Sequence, residues 1–106
     1  MEAQLKKGVL ELCVLFTLRD REMYGYDVMK SMKHFFPEVN ESTFYAILRR
    51  LNADGSTEIT LGKESGGPPR KYYRITDAGR EVLKNGIDGW NRVRSAVEAL
   101  GIAPIK

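Results

Sequence analysis

Residues 40–79 read NESTFYAILRRLNADGSTEITLGKESGGPPRKYYRITDAG, a helical period that gives way to two alternating runs around a glycine- and proline-rich turn. Phe44, Ile47, Leu48 and Leu51 recur at steps of three and four residues and form one apolar stripe. The opposite face carries Ser42, Thr43, Tyr45, Ala46, Arg49 and Arg50. Small hydroxyls, one tyrosine and two arginines are poor material for catalysis. They suit a polyanion with readable edges, because the guanidinium fork matches phosphate or guanine. Asn40 is placed to cap this helix by accepting a backbone N–H with its side-chain oxygen, and Asp54-Gly55 to close it. TEITL over 57–61 and KYYRI over 71–75 both alternate, and GKESGGPPR between them is a long turn. The expectation is a helix with a two-stranded wing beside it.

Working towards the N-terminus, Pro37 stops a preceding helix that starts near Tyr24-Gly25-Tyr26 and points Val28, Met32, Phe35 and Phe36 inward. The short step from this helix to the next is that of a helix-turn-helix, whose later helix enters a groove. A first helix is expected over about Leu5 to Leu18. Leu5, Val9, Leu12, Cys13 and Phe16 lie on one stripe, with Leu10, Val14, Leu15 and Leu18 on others. A helix apolar nearly all round, at the end of a small domain, implies a second surface to cover it. Beyond the wing, Thr76 caps a last helix on which Val82, Leu83, Ile87, Trp90, Val93, Val97 and Leu100 keep a helical spacing. That stripe is longer than one small core can cover, so its distal half is expected to pack on a second copy of the chain. The fold class is therefore mainly α with a small β-hairpin wing (α+β). Residues 1–76 form the winged-helix part and residues 77–106 the dimerisation helix of one structural unit.

The chain has 106 residues, enough for one core. Seventeen Lys and Arg against 14 Asp and Glu give a net charge of only +3. The charge is concentrated over residues 62–74, where Lys63, Arg70, Lys71 and Arg74 face Glu64 alone beside Tyr72 and Tyr73. The single cysteine, Cys13, sits in an apolar run and reads as a buried structural thiol in a reducing compartment. No apolar stretch approaches the roughly 20 residues of a membrane helix, and the N-terminus does not resemble a secretion signal, so a cytoplasmic location is expected. His34 has no second His or Cys at ligand spacing, and no catalytic triad or phosphate-binding glycine loop is present. No metal, no cofactor and no enzymatic activity are expected.

Several segments together resemble a known family. They are Tyr24-Gly25-Tyr26-Asp27-Val28, Ser42-Thr43-Phe44-Tyr45, Leu48-Arg49-Arg50-Leu51 with Gly55, and Gly67-Pro68-Pro69-Arg70-Lys71-Tyr72-Tyr73-Arg74-Ile75-Thr76 with Ala78-Gly79. The chain looks like the PadR family of bacterial winged-helix transcriptional regulators, in its short subclass with one helix after the wing. Ala46 departs from a frequent proline of that family, and Ser56-Thr57 from a frequent apolar pair. The resemblance implies a homodimeric repressor that binds a palindromic operator in double-stranded DNA. It also implies a response to small hydrophobic or aromatic compounds.

The residues expected to contact DNA are Tyr26, Asn40, Ser42, Thr43, Tyr45, Arg49, Lys63, Arg70, Lys71 and Tyr72. The plain alternative is a solvated polar helix face with solubilising charge on a loop. Tyr72 and Tyr73 alternate, so one belongs to the core and the other reaches out. Leu10, Val14, Trp90, Val93 and Val97 are expected at a dimer interface, where Trp90 either packs closely or lines a cavity for flat aromatic ligands. Gly86 and Gly89 flank Trp90 and suggest that space beside the indole is wanted. A protein-interaction module and a ligand carrier without specific DNA binding are the alternative functions.

Overall fold

The computed structural model describes residues 8–62, 67–103 and 105. Its elements are α1 (Val9–Thr17), β1 (Met23–Tyr24), α2 (Gly25–Phe35), α3 (Glu41–Ala53), β2 (Thr57–Gly62), β3 (Arg70–Ile75) and α4 (Asp77–Leu100). The described residues thus form four helices and an antiparallel sheet of order β1-β3-β2. The wing strands pair from Thr57 with Ile75 to Gly62 with Arg70. The sheet has a third strand that periodicity did not indicate: Met23 pairs with Tyr73 and Tyr24 with Tyr72. Two residues are too few to display an alternating pattern.

One core joins Val14 and Leu15 of α1 with Leu18 just after it, Val28 and Met32 of α2, Phe44, Leu48 and Leu51 of α3, and Tyr73 and Ile75 of β3. Phe44 is completely buried, a removal from water that stabilises by about 1.5–3 kcal/mol for a side chain of this size. The α2–α3 turn is held by Lys33, whose ammonium donates to the carbonyls of Pro37 (2.9 Å) and Val39 (2.8 Å). Phe35 does not point inward as expected. It is 71% exposed while Phe36 packs against the core, because the helix ends at Phe35 and the chain turns there. Asn40 occupies the N-cap position of α3, but its side chain makes no capping bond. The first turn is closed instead by Thr43 N–H donating to the Asn40 carbonyl at 3.0 Å.

The two ends of the wing meet at a tight joint. Gly55 follows the α3 cap at φ 84°, the left-handed conformation that glycine tolerates. Ser56 N–H donates to the Leu51 carbonyl and to Asp54 Oδ1, and the Ser56 carbonyl accepts from Thr76 N–H at 3.0 Å. Thr76 caps α4 as expected: its hydroxyl oxygen accepts from Gly79 N–H at 3.0 Å, and the hydroxyl donates to the Gly55 carbonyl at 2.6 Å. Gly79 lies so close that a β-carbon there would stand 2.0 Å from the Ser56 carbonyl oxygen. Ser56 and Thr57 are both buried, so the polar pair that departs from the family pattern forms part of this joint.

Only the first part of α4 is covered. Gly79 and Leu83 are buried, but Trp90 is 47%, Val93 58%, Val97 38% and Leu100 78% exposed. Val82, expected on the same stripe as Leu83, is exposed because it points away from the body. On α1 the core takes Leu10, Val14, Leu15 and Leu18, leaving Phe16 exposed and Leu12 and Cys13 half-buried. The expected start of that helix at Leu5 lies outside the described residues.

Candidate nucleic-acid interface

α3 lays its apolar stripe on the core, which turns Ser42, Ala46 and Arg49 to solvent and leaves Thr43 and Tyr45 half-buried. Across from it, β3 presents Arg70 and Lys71, both exposed. Between the two runs an open cleft of about 630 Å³, lined by Tyr24, Gly25, Tyr26, Tyr45, Arg49, Gly67, Pro68, Pro69, Arg70, Lys71 and Tyr73. Three cations and four phenol rings therefore converge, and no carboxylate is among the lining residues. Such a cleft has the electrostatics and hydrogen-bond donors to hold a phosphate backbone.

Of the residues expected to contact DNA, Tyr26, Tyr45, Arg49, Arg70 and Lys71 come together in this cleft. Asn40, Ser42 and Thr43 stand at the start of α3, and Lys63 lies outside the described residues. Tyr73 is the core tyrosine of the wing. Tyr72 is half-buried and turns to the other flank, where it lines a depression of about 470 Å³ with Tyr24, Asp27 and Lys30. Opposite directions are what alternation along a strand requires.

An aromatic ladder braces the base of the wing. The ring of Tyr24 lies 6.0 Å from that of Tyr26 and 5.8 Å from that of Tyr72. The Arg70 guanidinium carbon sits 4.8 Å above Tyr24, and the Lys30 ammonium 5.5 Å above Tyr26. Cation–π contacts of this kind hold long side chains in a defined direction. Tyr24 and Lys30 were missed among the candidate residues. Tyr24 was visible only as part of the Tyr-Gly-Tyr motif, and its place in a strand was hidden by that strand's shortness.

Two arginines that inflate the local charge are already paired. Arg50 bonds Glu11 of α1, and Arg74 bonds Glu58, its opposite number on β2. Arg49 and Lys71 form no ion pair among the described residues. Burial raises the Tyr45 phenol above its ordinary pKa, helped by the nearby Glu41 carboxylate. Burial likewise raises Tyr73, against the opposing pull of Arg49. Both stay neutral at physiological pH and so act as hydrogen-bonding phenols. The Cys13 thiol is also pushed up by burial, which keeps it protonated and unreactive.

Leu10 and Val14, expected at the dimer or ligand surface, have their side chains turned inward in the single chain. Both are buried in the core of their own chain, in one cluster with Leu15, Leu18 and side chains of α2, α3 and α4. The space at Gly86 is likewise taken by Leu12 rather than left open for the indole of Trp90. Among the described residues no three His, Cys, Asp or Glu side chains are grouped to hold a metal ion, and no helix is long and apolar enough to cross a membrane.

A helix-turn-helix whose second helix faces a basic wing across a cleft that no carboxylate lines among the described residues defines a winged-helix DNA-binding module. Residues 14–85 match the Transcriptional regulator PadR-like family. A PadR-like transcriptional regulator from Bacillus cereus is 38% identical and superposes with a TM-score of 0.81 over 96% of this chain and 100% of that one. A PadR family transcriptional regulator from Eggerthella lenta is 33% identical, with a TM-score of 0.80 over 95% and 88%. An uncharacterised protein from Lysinibacillus sphaericus is 27% identical over 92% of this chain and 93% of its own. The chain belongs to the PadR-like family of transcriptional regulators. It is a DNA-binding regulator and not an enzyme.

Proposed function

We propose that this protein is a cytoplasmic homodimeric repressor that closes a promoter by occupying a palindromic operator. The N-terminal part of α3 enters the major groove, with Ser42, Thr43, Tyr45 and Arg49 towards base edges and phosphates. Lys63, Arg70, Lys71 and Tyr72 carry the wing onto the flanking backbone, joined by Asn40 and Tyr26 at the starts of α3 and α2. The observation that carries this reading is the convergence of Arg49, Arg70 and Lys71 on a cleft that no carboxylate lines among the described residues. Two copies joined through the exposed stripe of α4 would present their α3 helices about one helical turn of DNA apart. Trp90, Val93 and Val97 lie in that stripe, with the outer side of α1 as the complementary surface.

A small hydrophobic or aromatic ligand stacking on Trp90 at the two-fold axis would change the spacing of the two reading heads. A few kcal/mol of differential affinity between two dimer shapes is enough to shift such an equilibrium. The test is titration of the purified protein against a duplex of its own promoter across a range of salt. Tight binding that weakens steeply with salt, and is lost in Arg49→Glu and Arg70→Glu, supports the repressor. Binding without sequence preference that survives both reversals points to a protein-interaction module. Trp90 fluorescence that responds to aromatic compounds in a chain without DNA affinity points to a ligand carrier.

A further inference from the structure

α4 packs mainly on α1 and β3, whereas α3 packs on α1, α2 and β2. Among the described residues α1 is therefore the helix that packs extensively on both. Two consecutive residues of α1 carry the polar and the steric side of this bridge. Glu11 is ion-paired with Arg50 towards the C-terminal end of α3. Leu12 is pressed against α4 at Gly86, where a β-carbon would stand 2.9 Å from Leu12 Cδ1. Glycine weakens the interior of a helix relative to alanine, so its presence there needs a reason. Gly89, one turn further along α4, provides the contrast: a β-carbon there would meet nothing closer than Arg92 Nη2 at 3.9 Å. The close approach is specific to position 86, and it is made by the end of the Leu12 side chain, which added bulk there would displace.

The remaining residues make α1 stiff. Leu10 and Val14 are buried in the same core cluster as Phe44 and Leu48 of α3. A close-packed interior transmits displacement rather than absorbing it. The half-exposed Glu11–Arg50 pair adds little energy of its own and marks where α1 and α3 meet at the surface.

We propose that α1 is the positioning element of the recognition helix, with Leu12 against Gly86 taking up the placement of α4 and α1 passing it to α3. Gly86 and Leu12 thereby govern how Arg49 is presented without touching DNA themselves. This rests on the DNA-reading role of α3 proposed above. It adds a route within one chain by which any change along α4 reaches the reading head.

The experiment compares Gly86→Leu with Gly89→Leu in the full chain. Both remove a helix-weakening glycine, and only the first adds bulk at Leu12. Operator affinity should fall about two- to thirtyfold in Gly86→Leu, the span of mutations that alter coupling. It should recover in the double variant Gly86→Leu/Leu12→Ala, whereas any change in Gly89→Leu, which meets nothing of α1, should not be rescued by Leu12→Ala. Gly86→Ala, one methyl group, is the milder version should the leucine disturb folding. Amide hydrogen exchange over residues 44–51 gives a second reading that needs no DNA: it should change in Gly86→Leu and not in Gly89→Leu. Wild-type protein without DNA affinity would remove the repressor reading, and the exchange pattern would still decide the bridge. Equal behaviour of the position-86 and position-89 variants in both measurements overturns it.

Discussion

Arg49, Arg70 and Lys71 are exposed in one region of this molecule, and Trp90, Val93, Val97 and Leu100 in another. The first group needs nothing further in the isolated chain, since water solvates cations and an open cleft between them costs little. The second group leaves apolar area in water at about 25 cal/mol per Å². An apolar row of this length on one helix marks a surface built for contact. The same helix provides the internal control, because Leu83 nearer its start is covered by the core. Exposure alone therefore does not identify a functional surface; its chemistry indicates what is missing from the single chain.

The largest expected effect separates the two regions. Arg49→Glu should weaken operator binding by roughly two orders of magnitude, as a contact of about 1–3 kcal/mol is lost in each protomer. The sedimentation mass, that of the proposed dimer, should not change. Val93→Asp should do the reverse, shifting the protein to monomer and lowering DNA affinity only through that shift. If either substitution moved both quantities independently of protein concentration, the separation into a reading surface and an assembly surface would fail.

A smaller effect tests the joint that connects wing and α4. Gly79→Ala drives a methyl group into the Ser56 carbonyl and should destabilise the fold by about 2 kcal/mol, the usual scale of overpacking, in a thermal melt. The two helix caps give a finer contrast. Thr76→Ala removes a real capping bond and should cost about 1 kcal/mol. Asn40→Ala removes none and should change stability by less than about 0.5 kcal/mol. Any loss of operator affinity in Asn40→Ala at unchanged melting temperature would assign Asn40 to the DNA surface.

The smallest effect concerns pH. Tyr45 and Tyr73 have phenols raised by burial above the ordinary value of 10.0, so the folded chain holds those protons more tightly than the unfolded chain. Their contribution is complete below that value and is lost as pH rises beyond it. Melting temperature should be flat with respect to these groups from pH 6 to 8 and decline above about 10. Tyr73→Phe should reduce the alkaline decline, and a decline unchanged by that substitution would place its cause elsewhere.

Much of this architecture was legible beforehand because its signals are local. The stripe Phe44-Ile47-Leu48-Leu51, the alternation on either side of the Gly-Pro turn, and Thr76 before Asp77 each declare an element within a few residues. The solvent side of α3 was legible for the same reason, since Ser42, Ala46 and Arg49 lie opposite a strong apolar stripe and face outward. What was not legible depends on residues distant in sequence. Arg50 and Arg74 look like available cations until α1 and β2 bring Glu11 and Glu58 to them. Met23-Tyr24 becomes a strand only because β3 offers it an edge.

Sequence by itself determined the helix-turn-helix, the wing, the cap of α4 and the family, all of them properties of spacing and short motifs. Tertiary structure decided which apolar side of α1 faces inward, which wing tyrosine is core, and that the room at Gly86 belongs to Leu12. Periodicity counts the faces of a helix but cannot rank two apolar faces against each other. Their ranking comes from the shapes of the helices that pack on them, and it exists only after the chain has folded.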